Sequence, residues 1–278
     1  MNLLNNLFDI DSNKCKHDGI CAAECPLRLI TTDGKDELPT PADKTEIECV
    51  SCGHCVTVCP HGAFTLKTMK PEECAPLDRK LLPTAEQAKL FLTARRSIRT
   101  YKKQPVDRAT LSDLIDTARY APTAVNTQPV NWLIIEDAGE VNRLAGLVID
   151  WMRHVIVEQP ELAIIMNMKR LVAEWDNGED RICRGAPHVI VAHAPAALAS
   201  AQSSCTIALT YLELAAFSKG LGACWAGYFN RAADLYPPMT EALQLPEGHK
   251  CFGAMLVGYP QYQYHRIPLR KKAAITWR

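Results

Sequence analysis

Neither sign of charge is in excess in this chain: Lys and Arg together number 31, and so do Asp and Glu. That balance gives no sign of the basic surface by which proteins hold nucleic acid, and no nucleic-acid partner is expected. Long apolar runs are missing too. The longest, such as Leu162–Met166, fall far short of the roughly 20 residues that a membrane-spanning helix needs. The stretch from Met1 to Asp9 has no basic n-region and no cleavage site, so no secretory signal peptide is expected. No internal repeat and no low-complexity tract is expected. The dinucleotide fingerprint G-x-G-x-x-G is missing: after Gly220 and Gly222 the third glycine is replaced by Trp225, and the segment follows a helix rather than a strand. No dedicated nicotinamide-binding domain is therefore expected. Catalytic carboxylate pairs, Ser–His–Asp sets and metal-binding histidine pairs do not stand out, which fits chemistry carried by a cofactor.

What the chain does have is cysteine. It holds 12, of which seven fall between Cys15 and Cys59. Cys49, Cys52, Cys55 and Cys59, followed by Pro60, form C-x2-C-x2-C-x3-C-P, the run that wraps iron–sulfur clusters. Three thiolates two residues apart on a turning loop converge on one cuboidal cluster, and the fourth lies one turn further on, within reach of a second. Zinc sites instead use two CxxC pairs separated by a longer loop. Disulfides call for an oxidising compartment and a small scaffold. His17, His54 and His61 lie beside the cysteines and are read as loop residues, not ligands. Cys74 has no partner at ligand spacing and is read as a spare thiol.

Upstream, Cys15, Cys21 and Cys25, followed by Pro26, keep the same frame with Asp18 in place of the second cysteine. Residues 1–75 resemble a two-cluster bacterial ferredoxin, in which the fourth cysteine of each run serves the other cluster. The resemblance implies one complete 4Fe–4S cluster on Cys25, Cys49, Cys52 and Cys55. It implies a second on Cys15, Asp18, Cys21 and Cys59, either a 4Fe–4S cluster with Asp18 or an exogenous ligand, or a 3Fe–4S cluster with that corner vacant. A carboxylate is a harder ligand than a thiolate, so Asp18 should hold its iron more weakly.

At 278 residues, with 47% hydrophobic and 22% charged side chains, the chain has room for two domains with cores of their own. Residues 1–80 carry 9 basic and 13 acidic groups, and the remainder 22 and 18. The expected organisation is a ferredoxin-like domain over 1–75, a proline-bearing linker over 76–84 and an α+β domain over 85–278, built on a central mixed sheet flanked by helices. A strand is expected at Gly62–Lys67 and a capping box at Thr84–Gln87 opening a helix to about Arg95. Asp107 is expected to cap the next helix. Further helices are expected over 138–157, 160–175 and 203–218, and strands at Val130–Glu136, His188–His193 and Cys251–Gly258.

Arg95, Arg96, Ser97 and Arg99 place three guanidiniums and a hydroxyl within five residues, a set able to enclose a phosphate dianion through planar, two-pronged hydrogen bonds. Pro122, Thr123, Ala124, Asn126, Gln128 and Pro129 follow in a short segment. Together with Gly220-Leu221-Gly222, Trp225 and the basic tail after Gly258, these motifs resemble the flavin-dependent nitroreductase family over residues 85–278. Val130 departs from that pattern, where a bulky aromatic often follows the proline; Trp132 stands two positions on. The resemblance implies FMN held at the interface of a homodimer. Arg95, Arg96, Ser97 and Arg99 would meet its phosphate and ribityl chain, with Arg270 and Lys271 closing over the phosphate. Pro122, Thr123, Ala124 and Asn126 would approach the flavin ring from the other subunit, and Trp225, Ala226 and Gly227 would line its neighbourhood. Small residues and glycines suit a flat ring that must lie close to backbone. Cys183, Cys205, Cys224 and Cys251 read as buried structural thiols. Arg181 and Arg184 read as surface arginines that could also meet an anionic substrate.

The expected function is an FMN-dependent oxidoreductase, fed through its own iron–sulfur clusters by an external donor, either ferredoxin-type or NAD(P)H. Its acceptor would be a small molecule such as a nitroaromatic or a quinone. The alternative is an electron-transfer subunit that passes electrons between flavin and a protein partner. The need for reduced thiols and the lack of a membrane segment place it in the cytoplasm.

Overall fold

The computed structural model describes residues 7–32, 34, 36–43 and 45–278; most of the amino-terminal segment read for a signal peptide lies outside them. The chain divides into two compact units. One comprises residues up to Leu82 together with Val125–Thr127, and the other Pro83–Ala124 and Gln128–Arg278.

In the first unit, β1 (Phe8–Ile10) pairs antiparallel with β4 (Phe64–Leu66), and β2 (Ile30–Thr31) with β3 (Thr40–Pro41). Three short helices lie among them: α1 (Ile20–Glu24), α2 (Thr45–Glu48) and α3 (His54–Val58). The expected strand over 62–67 is thus present in its centre. Phe8 stacks on Phe64 with ring centroids 4.7 Å apart, and Ile30, Val56 and Leu66 complete a small core into which Cys21 and Cys55 are packed. Two single 3-10 turns follow, Pro71–Glu73 before the expected linker and Arg79–Leu81 within it.

The expectation of no internal repeat fails in this unit. Helices α1 and α3 have the same length, and each is preceded by a glycine in the left-handed region, Gly19 at φ 69° and Gly53 at φ 75°. Each ends on a cysteine with φ near −68° and ψ 112°, Cys25 and Cys59. Each terminal sulfur accepts a backbone N–H four residues on, Leu29 to Cys25 at 3.3 Å and Ala63 to Cys59 at 3.4 Å. His17 and Ser51, each two residues before the glycine, also share positive φ. The repeat is one of backbone course and ligand position; outside the cysteines, Gly19/Gly53 and Pro26/Pro60 its two copies share little sequence.

The second unit is a four-stranded sheet in the order β5 (Asn131–Ile135), β6 (His188–Pro195), β8 (His249–Gly258), β7 (Gly222–Trp225), every named pair antiparallel. The expected mixed pairing is limited, among the described residues, to one isolated parallel bridge, Ser97 to Ala223, outside the named strand pairs. The helices are α4 (Ala85–Ala94), α5 (Arg108–Ala118), α6 (Ala138–Glu158), α7 (Pro160–Ile165), α8 (Met168–Asp176), α9 (Ala201–Ser218), α10 (Gly227–Leu235) and α11 (Pro237–Ala242). Successive sheet residues point to opposite faces. Val189, Val191, Cys224, Ala254 and Leu256 pack under α6, α10 and α11, while Ile190, Ala192, Ala223, Met255 and Val257 pack under α5 and α9. The sheet is therefore covered on both sides, which is why β6 and β8 read as nearly continuous apolar runs.

Thr84 and Gln87 form the expected capping box, and Asp107 caps α5 through the N–H of Thr110. The single helix expected over 160–175 is two, because Asn167 takes φ 54° between them. No helix among the described residues is long and apolar enough to cross a membrane.

Candidate functional site

Seven cysteines of the first unit face two cavities. Cys25, Cys49, Cys52 and Cys55 line one, with Phe8, Leu29, Ile30, Phe64 and Leu66 as its apolar wall. Cys15, Asp18, Cys21 and Cys59 line the other. Cys25, which ends α1, faces the cavity of the downstream run, and Cys59, which ends α3, faces that of the upstream run. All 12 thiols are free. Among the described residues no three His, Cys, Asp or Glu side chains are placed to hold one metal ion. The thiols surround a volume rather than a point, as a multi-iron cluster requires.

Burial pushes the Cys55 thiol up to about 12, and raises Cys21 as well. A buried thiolate needs positive charge beside it, which iron would supply. Asp18 reaches its cavity while one carboxylate oxygen accepts the N–H of Ile20 at 3.2 Å. His54 and His61 each reach one of the cavities, and the His17 ring contacts the Glu37 carbonyl oxygen at 3.0 Å. The Cys74 thiol donates to the Lys70 carbonyl and packs against the small core.

In the second unit the R-R-S-x-R run is divided. Arg99 lines a cavity of about 420 Å3 with Arg181, Arg184, Cys224, Trp225, Ala226 and Gly227. The end of β7 and the start of α10 supply the last four, and the loop before β6 supplies Arg181 and Arg184. Sequence reasoning had separated these two arginines from the flavin motif; nothing local to residues 181–184 signals that they meet Arg99. The loop is shaped by Asp180, whose carboxylate accepts the N–H groups of Ile182 (2.8 Å), Cys183 (2.9 Å) and Gly185 (3.0 Å), with Arg184 at φ 61° inside it. Burial raises the Cys224 thiol against the opposing pull of Arg99 and Arg184.

Arg95 and Arg96 line a separate cavity of about 650 Å3 with Glu213, Phe217 and residues 259–264. Arg95 donates to the Glu213 carboxylate at 2.7 Å, and the Arg96 guanidinium sits 5.9 Å from the Tyr264 ring centre. Burial raises Glu213, and Arg95 partly offsets that rise. Ser97 is held by its bridge to Ala223, next to the bond from the Ile98 N–H to the Ala223 carbonyl. Gly222 serves packing: a Cβ there would come within 2.5 Å of Ile98. Gly227 faces open space. Thr123 accepts the N–H of Gln128 at 3.0 Å, in the loop that also carries Pro122 and Ala124. Asn126 groups with the first unit, its side-chain amide donating to the carbonyls of Val50 (3.0 Å) and Ser51 (3.1 Å). Arg270 and Lys271 lie in an exposed carboxy-terminal stretch without regular structure.

The donor sets suit the groups that the motifs imply. Two quartets, one of four cysteines and one of three cysteines with Asp18, line cavities of their own, and three guanidiniums line a third with Cys224, Trp225, Ala226 and Gly227.

Comparison with known proteins points the same way. Residues 92–259 match the nitroreductase family, and residues 45–65 match the 4Fe–4S binding domain. A protein of Thermus thermophilus named NADH dehydrogenase is 28% identical over 205 residues, covering 69% of this chain and 96% of its own length. Two solved structures share the fold: a nitroreductase with bound FMN from Bacteroides fragilis (TM-score 0.56, 18% identity, 69% of this chain and 99% of that one) and another with bound FMN from Desulfitobacterium hafniense (TM-score 0.56, 20% identity, 70% and 100%).

Proposed function

This chain belongs to the nitroreductase family, and we propose that it is an FMN-dependent oxidoreductase that draws electrons through iron–sulfur centres of its own and reduces a small acceptor such as a nitroaromatic or a quinone. The observation that carries the reading is the presence, in one chain, of two cysteine-lined cavities and a nitroreductase fold with three arginines facing one cavity. When bound, FMN would take up electrons singly and release them in pairs, and an iron–sulfur cluster would carry them one at a time.

Arg99, Arg181 and Arg184 would bind the anionic part of the cofactor or of the acceptor, each through its planar fork. Trp225, Ala226 and Gly227 would line the flat ring; Gly227, with nothing near its Cβ position, leaves room for it. Arg95, Arg96, Ser97, Arg270 and Lys271 are the further phosphate contacts that the motifs imply, with Arg95 and Arg96 facing a cavity of their own beside Glu213, and Pro122, Thr123 and Ala124 would come from the second protomer. Cys25, Cys49, Cys52 and Cys55 would hold a 4Fe–4S cluster; Cys15, Asp18, Cys21 and Cys59 would hold the second centre. The apolar wall around the first quartet shields Cys55, the one buried thiol of the four.

A homodimer is part of this reading. Its support is apolar surface left bare on α4 (Leu90, Leu92), on α9 (Ile207, Tyr211) and in the tail (Leu269, Trp277). The name of the Thermus relative supports NADH as one donor, beside a ferredoxin-type protein.

The test is replacement of Cys52 and Cys55 by Ser, followed by anaerobic assay with a reduced ferredoxin and with NADH. Turnover with ferredoxin should collapse while FMN content is kept. Undiminished turnover with ferredoxin would remove the route through the clusters. Wild-type protein that exchanges electrons with ferredoxin yet reduces no small acceptor would turn the reading to a carrier subunit.

A further inference from the structure

Asn126 stands in a strained turn. Val125 at φ 43° is a β-branched residue in the left-handed region, and Asn126 follows at φ 54°. Such backbone costs free energy and persists only where surrounding contacts hold it. Among the contacts here are two hydrogen bonds from one side chain. Asn126 Nδ2 donates to the carbonyl oxygens of Val50 and Ser51, the two residues between Cys49 and Cys52. Ser51 is itself at φ 49°.

A trans peptide points its C=O and the next residue's N–H in opposite directions. The chain has no cis peptide among the described residues. Holding the Val50 carbonyl therefore turns the Ser51 N–H away from Asn126, and holding the Ser51 carbonyl does the same for the Cys52 N–H. Neither N–H has a protein acceptor among the described residues. Of this loop Cys49, Cys52, Gly53 and Cys55 line the cavity, while Val50, Ser51 and Asn126 are not part of that lining. The two orphan donors thus turn away from Asn126, and Cys52, which carries one of them, lines the cavity with Cys49.

We propose that Asn126 is a positioning residue for the centre held by Cys25, Cys49, Cys52 and Cys55: its amide clamps the Val50 and Ser51 carbonyls and so directs the N–H groups of Ser51 and Cys52 toward the cluster sulfurs. The proposal rests on the reading of that cavity as an iron–sulfur site. Hydrogen bonds to the sulfurs favour the reduced, more negative cluster and raise its potential. Asn126 thus acts on the electron carrier rather than on the flavin that its motif implies.

The experiment uses full-length protein purified without air, with Asn126→Ala and Asn126→Asp beside the wild type. Iron, sulfide and FMN are quantified, and the cluster EPR signal is followed through a dithionite titration. Both variants should keep their FMN, show altered cluster g-values and reduce at a more negative potential. At fixed poise the reduced-to-oxidised ratio should fall about tenfold, ~59 mV for a one-electron couple. Asn126→Asp keeps the side-chain size but sets a carboxylate against two carbonyls, so its shift should be at least as large. Loss of iron in both variants with FMN retained supports the clamp as well. Unchanged g-values and potential in both variants overturn it, as does a changed flavin spectrum beside an unchanged cluster. Wild-type protein devoid of iron would overturn the cluster reading itself, and this inference with it.

Discussion

Asp18 occupies, in the first half of the iron–sulfur unit, the position that Cys52 occupies in the second: each immediately precedes the left-handed glycine that opens a five-residue helix. Each lines the cavity of its own run, Cys52 among four cysteines and Asp18 among three. The two cavities therefore differ at one lining position while their backbone scaffolds match. A chelator added to anaerobic protein should extract up to one iron per protomer ahead of the rest, from the corner that the harder carboxylate serves. In Asp18→Cys that early phase should vanish and total iron should reach the full complement for two four-iron clusters. An unchanged early phase in Asp18→Cys would place the weak iron elsewhere.

The same pseudo-symmetry allows two glycine substitutions to be compared. Gly19 and Gly53 have nearly the same backbone, but a Cβ at Gly19 meets nothing within 4 Å, whereas at Gly53 it would lie 2.7 Å from the Met69 sulfur. Gly19→Ala should cost only the left-handed conformation, about 1–2 kcal/mol. Gly53→Ala should cost that plus displacement of Met69, a flexible side chain that can yield at a further cost of about 1 kcal/mol. Thermal loss of the cluster's visible absorbance measures both. Equal losses would mean that Met69 moves freely, and Gly53→Ala with Met69→Ala should bring the two variants level.

These comparisons show which parts of the molecule the sequence discloses. Ligand spacing is a local property, so Cys15, Asp18, Cys21 and the later run announce their chemistry without any fold. Capping is local as well, and Thr84 with Gln87 and Asp107 were legible for that reason. Strands β6 and β8 were visible because burial on both faces makes them apolar throughout. By contrast, β7 has four residues, two of them Gly222 and Trp225 of a motif that reads equally well as a turn, and it exists because Ala223 and Cys224 complete the sheet beside β8. The break at Asn167 leaves no proline or glycine to mark it. The cavity of Arg99, Arg181 and Arg184 joins segments remote in sequence, and only the sheet and the Asp180 turn bring them together. Asn126 belongs by motif to the flavin segment and by contact to the cluster loop, a distinction no pattern of residue types contains.

Acid sensitivity should reside in the second unit. The buried His188 accepts the N–H of Val106 on Nε2 at 2.8 Å, which requires that nitrogen unprotonated. Burial lowers its pKa below the usual 6.5. His193 is lowered by burial and by His249, whose Nδ1 lies 2.9 Å from its own. That pair can share one proton, and a second would set like charges in contact. For both depressed groups the unfolded chain binds more protons than the folded one below about pH 6.5. Stability is therefore full above that pH and falls as the pH drops through the lowered folded values. Urea midpoints between pH 7.5 and 5 should decline. His188→Gln, which can still offer an oxygen to Val106, should remove part of the decline; an unaltered slope would clear His188 of the effect.

Asp180 should govern ligand binding without lining the 420 Å3 cavity itself. Its carboxylate holds three backbone N–H groups and with them the left-handed residue Arg184. In Asp180→Ala those donors lose their acceptor, the turn relaxes, and the Arg184 guanidinium no longer meets Arg99 at a fixed spacing. FMN titrated into apoprotein should bind about tenfold more weakly, roughly 1.4 kcal/mol. Arg184→Ala should weaken it by a similar factor. Because Asp180 acts through Arg184, the double variant should be little worse than either single one, a coupling that residues acting independently would not show. Full additivity of the two losses would mean that the turn supports FMN by a path other than Arg184, with Arg181 from the same loop the next side chain to replace.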